Sequence, residues 1–233
     1  MALAFVTGGS RGLGFESAKA LKAAGHEVVL FARNTEKLIS AGQELNAPIE
    51  FVELSNIAET RSVFAAAVAK YGIPDILMLA HGVMSDRLAK TLKTNDEEWR
   101  RVMTINLDSV FTIVNEVGSK MAEARKGRVI VYSACLGRMS GPGNAGGLAP
   151  YRISKAGVNA LVRNLAHETG HGSRGFWIDA ICPNHSRTDM GGESAPRSAA
   201  EGAATAVWLA TRELIAGETQ TGLLWEDNEI VPW

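Results

Sequence analysis

Short runs of apolar and β-branched residues alternate with longer stretches of helical spacing along the chain, and this alternation limits the possible folds more than any other feature. Two parallel strands need a crossover, usually a helix, so repeated β-then-α units build a parallel sheet with helices laid on it. Strands are expected at Ala2–Thr7, Glu27–Phe31, Ile49–Glu53, Ile76–Ala80, Arg128–Ser133, Phe176–Cys182 and Gly222–Trp225. Several are apolar almost throughout, as strands covered on both faces must be. Helices are expected at Leu13–Ala24, Thr35–Leu45, Ile57–Lys70, Glu97–Arg125 and Tyr151–Thr169, the last with Val158, Leu161 and Leu165 at helical spacing. Gly25 and Gly72 stand where helices should stop. The expected class is α/β, a doubly wound parallel sheet with helices on both faces. No repeat or linker divides residues 1–233, so one domain is expected, since α/β units often reach about 250 residues as a single body.

With 46% hydrophobic and 21% charged residues, the chain can close a substantial core. A formal net charge of −1 offers no basic field to nucleic acid or to an anionic membrane, which leaves small molecules as the expected partners. No segment is apolar for the length of a membrane span, and the apolar start Ala2–Val6 is too short for a secretory leader, so the cytoplasm is the expected location. Cys135 and Cys182 are too few and too separated for a disulfide framework and are expected as free thiols. Two less regular stretches, 137–150 and 184–198, follow strands at the carboxyl edge of the sheet and are expected to shape a substrate pocket.

The first strand runs into Thr7-Gly8-Gly9-Ser10-Arg11-Gly12-Leu13-Gly14 and then directly into a helix. Glycines there permit a tight turn and close approach of a pyrophosphate, and the helix N-terminus presents free N–H groups and positive charge to it. An isolated turn of this kind is weak evidence, but its place inside the first βαβ unit makes it specific. After the second strand, an NAD-binding chain would carry an acidic residue for the ribose hydroxyls; here the run is Phe31-Ala32-Arg33-Asn34. Arg33 can pair with a 2′-phosphate, with Arg11 closing from the other side, so NADP(H) is the expected cofactor. The bland alternative is a pair of solvated surface arginines.

Tyr151 and Lys155 lie four positions apart on one helix face. An ammonium beside a phenol stabilises phenolate and is expected to lower the tyrosine pKa, fitting it to deliver or take the proton when a carbonyl oxygen changes charge. On Thr7–Gly14, Asn106 in Ile105-Asn106-Leu107, Tyr151–Lys155 continued by Ala156-Gly157, and the Pro183–Thr188 segment, the chain resembles the short-chain dehydrogenase/reductase family over essentially its whole length. Arg187–Gly192 and Ile230–Trp233 look similar to carbonyl-reductase-like members.

The resemblance implies a Rossmann-type, seven-stranded parallel sheet, a homodimer or homotetramer, and hydride transfer between nicotinamide and a carbonyl or alcohol. It implies that Tyr151 is the acid or base and that Lys155 holds the nicotinamide ribose. Asn106 would anchor a water that relays protons through Lys155. Pro183, Asn184, Ser186 and Thr188 would line the nicotinamide end, Glu53 and Leu54 the adenine end, and His81 and Gly82 the sheet edge beneath the cofactor.

Three departures from the family pattern stand out. Alignment puts Ala134 where the family holds the substrate oxygen with a serine, and neighbouring strand residues face opposite ways, so Ser133 can replace it only through a bulge or register shift. Ser140 is a second candidate. His81 stands in a Leu79-Ala80-His81-Gly82 run where the family prefers asparagine, and Asn184 replaces a glycine, beside a His185 that could face the pocket.

Two other function classes compete. His167-Glu168-Thr169-Gly170-His171 matches the zinc-protease pattern, with Glu193 a possible third ligand, but the glycines that follow should end the helix before His171 and break the shared face. No metal is expected. A cofactor-binding sensor without redox chemistry is motivated by Ala134 and opposed by the retained Tyr151, Lys155 and Asn106.

Overall fold

A computed structural model of the chain describes residues 1–33, 36–86, 90–141, 146–214 and 220–233. The elements are β1 (Leu3–Thr7), α1 (Gly12–Ala23), β2 (Glu27–Ala32), α2 (Glu36–Leu45), β3 (Ile49–Phe51), α3 (Ile57–Tyr71) and β4 (Ile76–Leu79). There follow a long helix α4 (96–123), β5 (Arg128–Tyr132), α5 (Ala149–Glu168), β6 (Trp177–Ile181), α6 (Ala199–Thr211), β7 (Leu224–Glu226) and β8 (Glu229–Val231).

The strands form one sheet in the order β3-β2-β1-β4-β5-β6-β7-β8. Its first seven strands are parallel neighbours, as expected, with registers such as Phe5 opposite both Val29 and Leu77. Side chains alternate along each strand, so both faces must be covered. Phe5, Leu77, Val129 and Val131 pack with Phe64 of α3, Val110 of α4 and Val158 of α5, whereas Ala4, Val6, Met78 and Ile130 pack with Leu21 of α1, Leu38 of α2 and Leu209 of α6. The order turns around between β1 and β4, where the carboxyl ends leave a crevice.

Two elements were not expected. α6 is alanine-rich and apolar nearly all round, so its sequence shows little periodicity; its start is written instead in Ser198-x-x-Glu201. Ser198 Oγ accepts from Glu201 N (3.1 Å) while Ser198 N donates to Glu201 Oε2 (2.7 Å), a reciprocal cap. β8 pairs antiparallel with β7 and adds an eighth strand to the seven. Asp227 and Asn228 carry the turn with φ of +53° and +63°, the conformation a two-residue hairpin needs.

α4 is continuous but relaxes into π-type turns at Thr104–Asp108 and Val114–Gly118. Such turns disturb the backbone ladder and concentrate at functional sites; the first holds Asn106. α5 begins two residues before Tyr151 with Pro150 in its first turn, where a missing N–H costs nothing. It ends at Glu168, and His171 has φ +48°. His167 and His171 therefore do not share a helical face. No helix among the described residues is long and apolar enough to cross a membrane.

Candidate active site

The glycine turn packs α1 against the end of β1. A Cβ on Gly14 would lie 2.4 Å from Gly8 O, so no other residue allows this approach, and Gly12 takes φ +57° beside the Thr188 methyl. Arg11 is the N-cap in extended conformation without a side-chain cap, and no acidic residue occupies the first turn of α1. The helix thus keeps its N-terminal N–H groups and positive end open to an anion. Ser10 is half-buried within the turn, and Leu13 packs against the core under it.

Arg33 is exposed at the end of β2 and makes no hydrogen bond or ion pair to a described residue. Asn34 lies outside the described residues. Arg11 departs from expectation: it is ion-paired with Asp189, which Lys37 also approaches at 3.8 Å. Arg11 therefore has a carboxylate partner in addition to the phosphate expected of it, whereas Arg33 has none among the described residues. At the end of β3, Glu53 Oε1 accepts from Ser55 N and Oγ, and the Leu54 side chain is buried against α3.

His81 is a correction. It is buried, and both ring nitrogens are occupied, Nδ1 by Thr7 Oγ1 at 2.7 Å and Nε2 by Ser109 Oγ at 2.8 Å. Ser109 donates to Ile105 O, so it accepts from Nε2–H, which leaves Nδ1 to accept from Thr7. A neutral imidazole therefore ties β1 to α4 and replaces the support expected from asparagine. Burial drives its pKa down to about 3, with the charge of Lys155 adding to the effect. The unfolded chain takes up this proton below about pH 6.5 while the fold refuses it, so stability present above that pH is lost as pH falls toward 3. We predict a loss of roughly 2–3 kcal/mol by about pH 4.5, measured by denaturant unfolding. His81→Asn should flatten that slope; an unchanged slope would place the titration elsewhere.

Gly82, next in the chain, does reach the reacting centre. A Cβ there would stand 3.5 Å from Lys155 Nζ and 3.4 Å from Asn106 Oδ1. Asn106 is fully buried; its Oδ1 accepts from Val83 N (2.8 Å) and its Nδ2 donates to Val83 O (2.9 Å) and Ser154 Oγ (3.1 Å). With the amide engaged at both ends, the side chain is a clamp between the β4 loop and α5.

Tyr151 and Lys155 are 6% and 4% exposed. Lys155 Nζ donates to Tyr132 O at 2.6 Å and lies 5.9 Å from the Tyr151 ring centroid. Burial draws the lysine pKa down to about 8. The tyrosine, however, is shifted upward: burial is the main cause, and the neighbouring Cys135 and Cys182 thiols add to it. The lowering expected from Lys155 is absent, and desolvation of the phenolate sets the direction. Tyr151 thus holds its proton at neutral pH, the state required of a donor.

Ser133 is a second correction. It is buried, and Oγ donates to Asn159 Oδ1 at 2.5 Å, while Asn159 Nδ2 donates to Gly137 O. The backbone neither bulges nor slips: β5 stays in register with β6 and Ser133 N donates to Ile181 O. Its hydroxyl faces α5 and does not replace the missing serine. Asn159, four residues past Lys155 on the same helix face, was legible by that spacing but was not singled out. Ser140 is tied elsewhere, donating to Trp233 O. Ala134 is buried, and beyond it Cys135 N donates to Cys182 Sγ at 2.9 Å.

The loop after β6 covers the glycine turn. Asn184 has φ +56°, which explains a preference for glycine there that asparagine tolerates. Pro183 is half-buried and its carbonyl accepts from Ser186 Oγ, a buried hydroxyl. Thr188 Oγ1 accepts from Gly191 N, with its methyl over Gly12. His185 is exposed, and Nε2 pairs with Gly191 O.

The short chain dehydrogenase family model matches residues 2–199. The 3-oxoacyl-(acyl-carrier-protein) reductase of Escherichia coli K12 is 35% identical over 190 residues, 81% of this chain and 75% of the relative. The enzyme of the same name from Rickettsia prowazekii is 34% identical over 187 residues, 79% and 73% of the two chains. A blue fluorescent protein from a metagenomic library, solved in complex with NADPH, superposes with a TM-score of 0.83 over 96% of this chain and 94% of its own, at 22% identity, a likeness of fold.

Proposed function

The chain belongs to the short-chain dehydrogenase family of oxidoreductases, and from that premise we propose that it is an NADP(H)-dependent reductase of carbonyl groups in which Tyr151 supplies the proton. The observation that carries this reading is the convergence of a buried, protonated Tyr151, Lys155, Asn106 and Gly82 at the carboxyl ends of β4 and β5, with the open end of α1 close by on β1.

The residues present fit the cofactor. Gly14 lets α1 pack directly on Gly8, which brings the uncapped N-terminus of α1 to the carboxyl end of β1 as a cradle for the pyrophosphate; Arg33 offers a guanidinium without a partner among the described residues where an NAD-binding chain would carry a carboxylate. Bound NADPH would supply the hydride. Tyr151 would protonate the carbonyl oxygen, Lys155 would hold the ribose, and segments 137–150, of which 142–145 lie outside the described residues, and 184–198 would shape the substrate pocket.

The relatives named as 3-oxoacyl-(acyl-carrier-protein) reductases make a 3-oxoacyl thioester the first substrate to try, ahead of simple ketones, aldehydes and quinones. Loss of NADPH absorbance with one of these is the expected result. Ala134, together with a Ser133 whose hydroxyl is taken by Asn159, favours a second reading, a chain that binds the cofactor with little or no turnover. Binding by calorimetry without oxidation on any substrate would establish that reading instead. A homodimer or homotetramer completes the proposal, to be measured by light scattering.

Arg33→Asp should weaken NADPH binding by about a hundredfold while changing NADH binding little, as expected for loss of a charge-assisted phosphate contact. Equal losses for both cofactors would remove Arg33 from the 2′-phosphate.

A further inference from the structure

β5 and β6 run side by side with Tyr132 opposite Ile181. Cys182 follows Ile181 directly, and a single 3-10 turn at Cys135–Gly137 folds the chain after β5 back over it. The result is a 2.9 Å contact from Cys135 N to Cys182 Sγ. Cys135 is half-buried and Cys182 buried, so one sulfur of the pair is open to a small reagent and the other stands behind it. Both lie close enough to Tyr151 to shift its pKa.

We propose that Cys135 and Cys182 form a peroxide-reactive dithiol that closes into a disulfide beside Tyr151. The Cys135 thiolate attacks one oxygen of hydrogen peroxide, breaking the O–O bond and releasing hydroxide, and becomes a sulfenic acid. Cys182 then attacks that sulfur, losing its proton and displacing the hydroxyl as water. Two thiols and one peroxide give one disulfide and two waters.

One contact and the acidities of the two thiols support this order. Closure needs Cα atoms within about 7 Å, and the nitrogen already touching Cys182 Sγ is three bonds from the Cys135 sulfur. The neighbouring Cys182 thiol draws the Cys135 pKa down to about 6, against burial and the opposing charge of Glu226, which favours a thiolate at neutral pH. Cys182 is shifted upward, as suits the thiol that waits.

The test treats dilute full-length protein with equimolar hydrogen peroxide. A monomer lighter by about 2 Da, a peptide linking Cys135 to Cys182, and recovery with dithiothreitol are expected. Cys182→Ser should stop at the sulfenic acid, about 16 Da heavier and trapped by dimedone, and Cys135→Ser should not react. Sulfinic acid on Cys135 with Cys182 still free, links between chains, or no reaction would overturn the site. An effect on turnover rests on the reading of Tyr151: linked protein should lose about a hundredfold in rate with NADPH affinity unchanged, as for a displaced acid. Linked protein that is fully active would sever the dithiol from the reaction while the mass result stands.

Discussion

Tyr151→Phe should lower turnover on the best carbonyl substrate by roughly a hundred- to ten-thousand-fold while leaving NADPH affinity within about twofold, the loss typical of a removed general acid. The substitution deletes one oxygen and keeps the buried ring, which is 6% exposed. The phenol hydroxyl makes no hydrogen bond to a described residue, so its removal leaves no partner unsatisfied and the fold should not respond. Because burial shifts Tyr151 upward, the wild-type group carries its proton over the whole neutral range, and the variant's deficit should be nearly constant there. Steady-state NADPH oxidation and calorimetry on the same samples make the comparison. Full activity in Tyr151→Phe would refute the assigned acid; a parallel collapse of NADPH binding would make the residue structural.

The sheet was legible because its strands must be apolar on both faces, and runs such as Ile76–Leu79 and Arg128–Tyr132 are bounded by helical spacing that leaves no alternative crossover. α6 and β8 were not, since an alanine-rich helix has no polar stripe to reveal its period, and a three-residue strand depends on its neighbour more than on its own residues. Within the site, backbone-dictated positions were readable: Gly14 and Gly12 follow from contact and φ. Side-chain commitments were not. His81, Ser133 and Arg11 each had the right chemistry for a ligand contact, yet each meets a protein partner that sequence distance conceals, 28 residues to Ser109 for His81 and 26 to Asn159 for Ser133. A pKa shift poses the same difficulty in another form. Lys155 beside Tyr151 argues for a lowered phenol, and only burial, a property of the whole fold, reverses the sign.

Ala134→Ser should raise turnover by about tenfold to a thousandfold, the range associated with one donor to a developing oxyanion. The backbone at Ala134 is already extended, with φ −160° and ψ 153°, and β5 is held in register by β6 up to Tyr132 opposite Ile181, so a serine can be introduced without moving the strand. Ser133 does not compete for the role, because its proton is directed at Asn159 inside the packing of α5. The new hydroxyl would add a second donor beside Tyr151, the one group proposed to meet the carbonyl oxygen. The gain should fall on kcat with little change in NADPH affinity, since the donor acts on charge that exists only as the bond order changes. Ser133→Ala provides the contrast: it should cost stability through the orphaned Asn159 and leave the rate per folded molecule unchanged. If Ala134→Ser leaves kcat where it was, either another group already supports the oxygen or the chain does not reduce a carbonyl, and Tyr151→Phe in the same background separates these, because only the first retains a rate to lose.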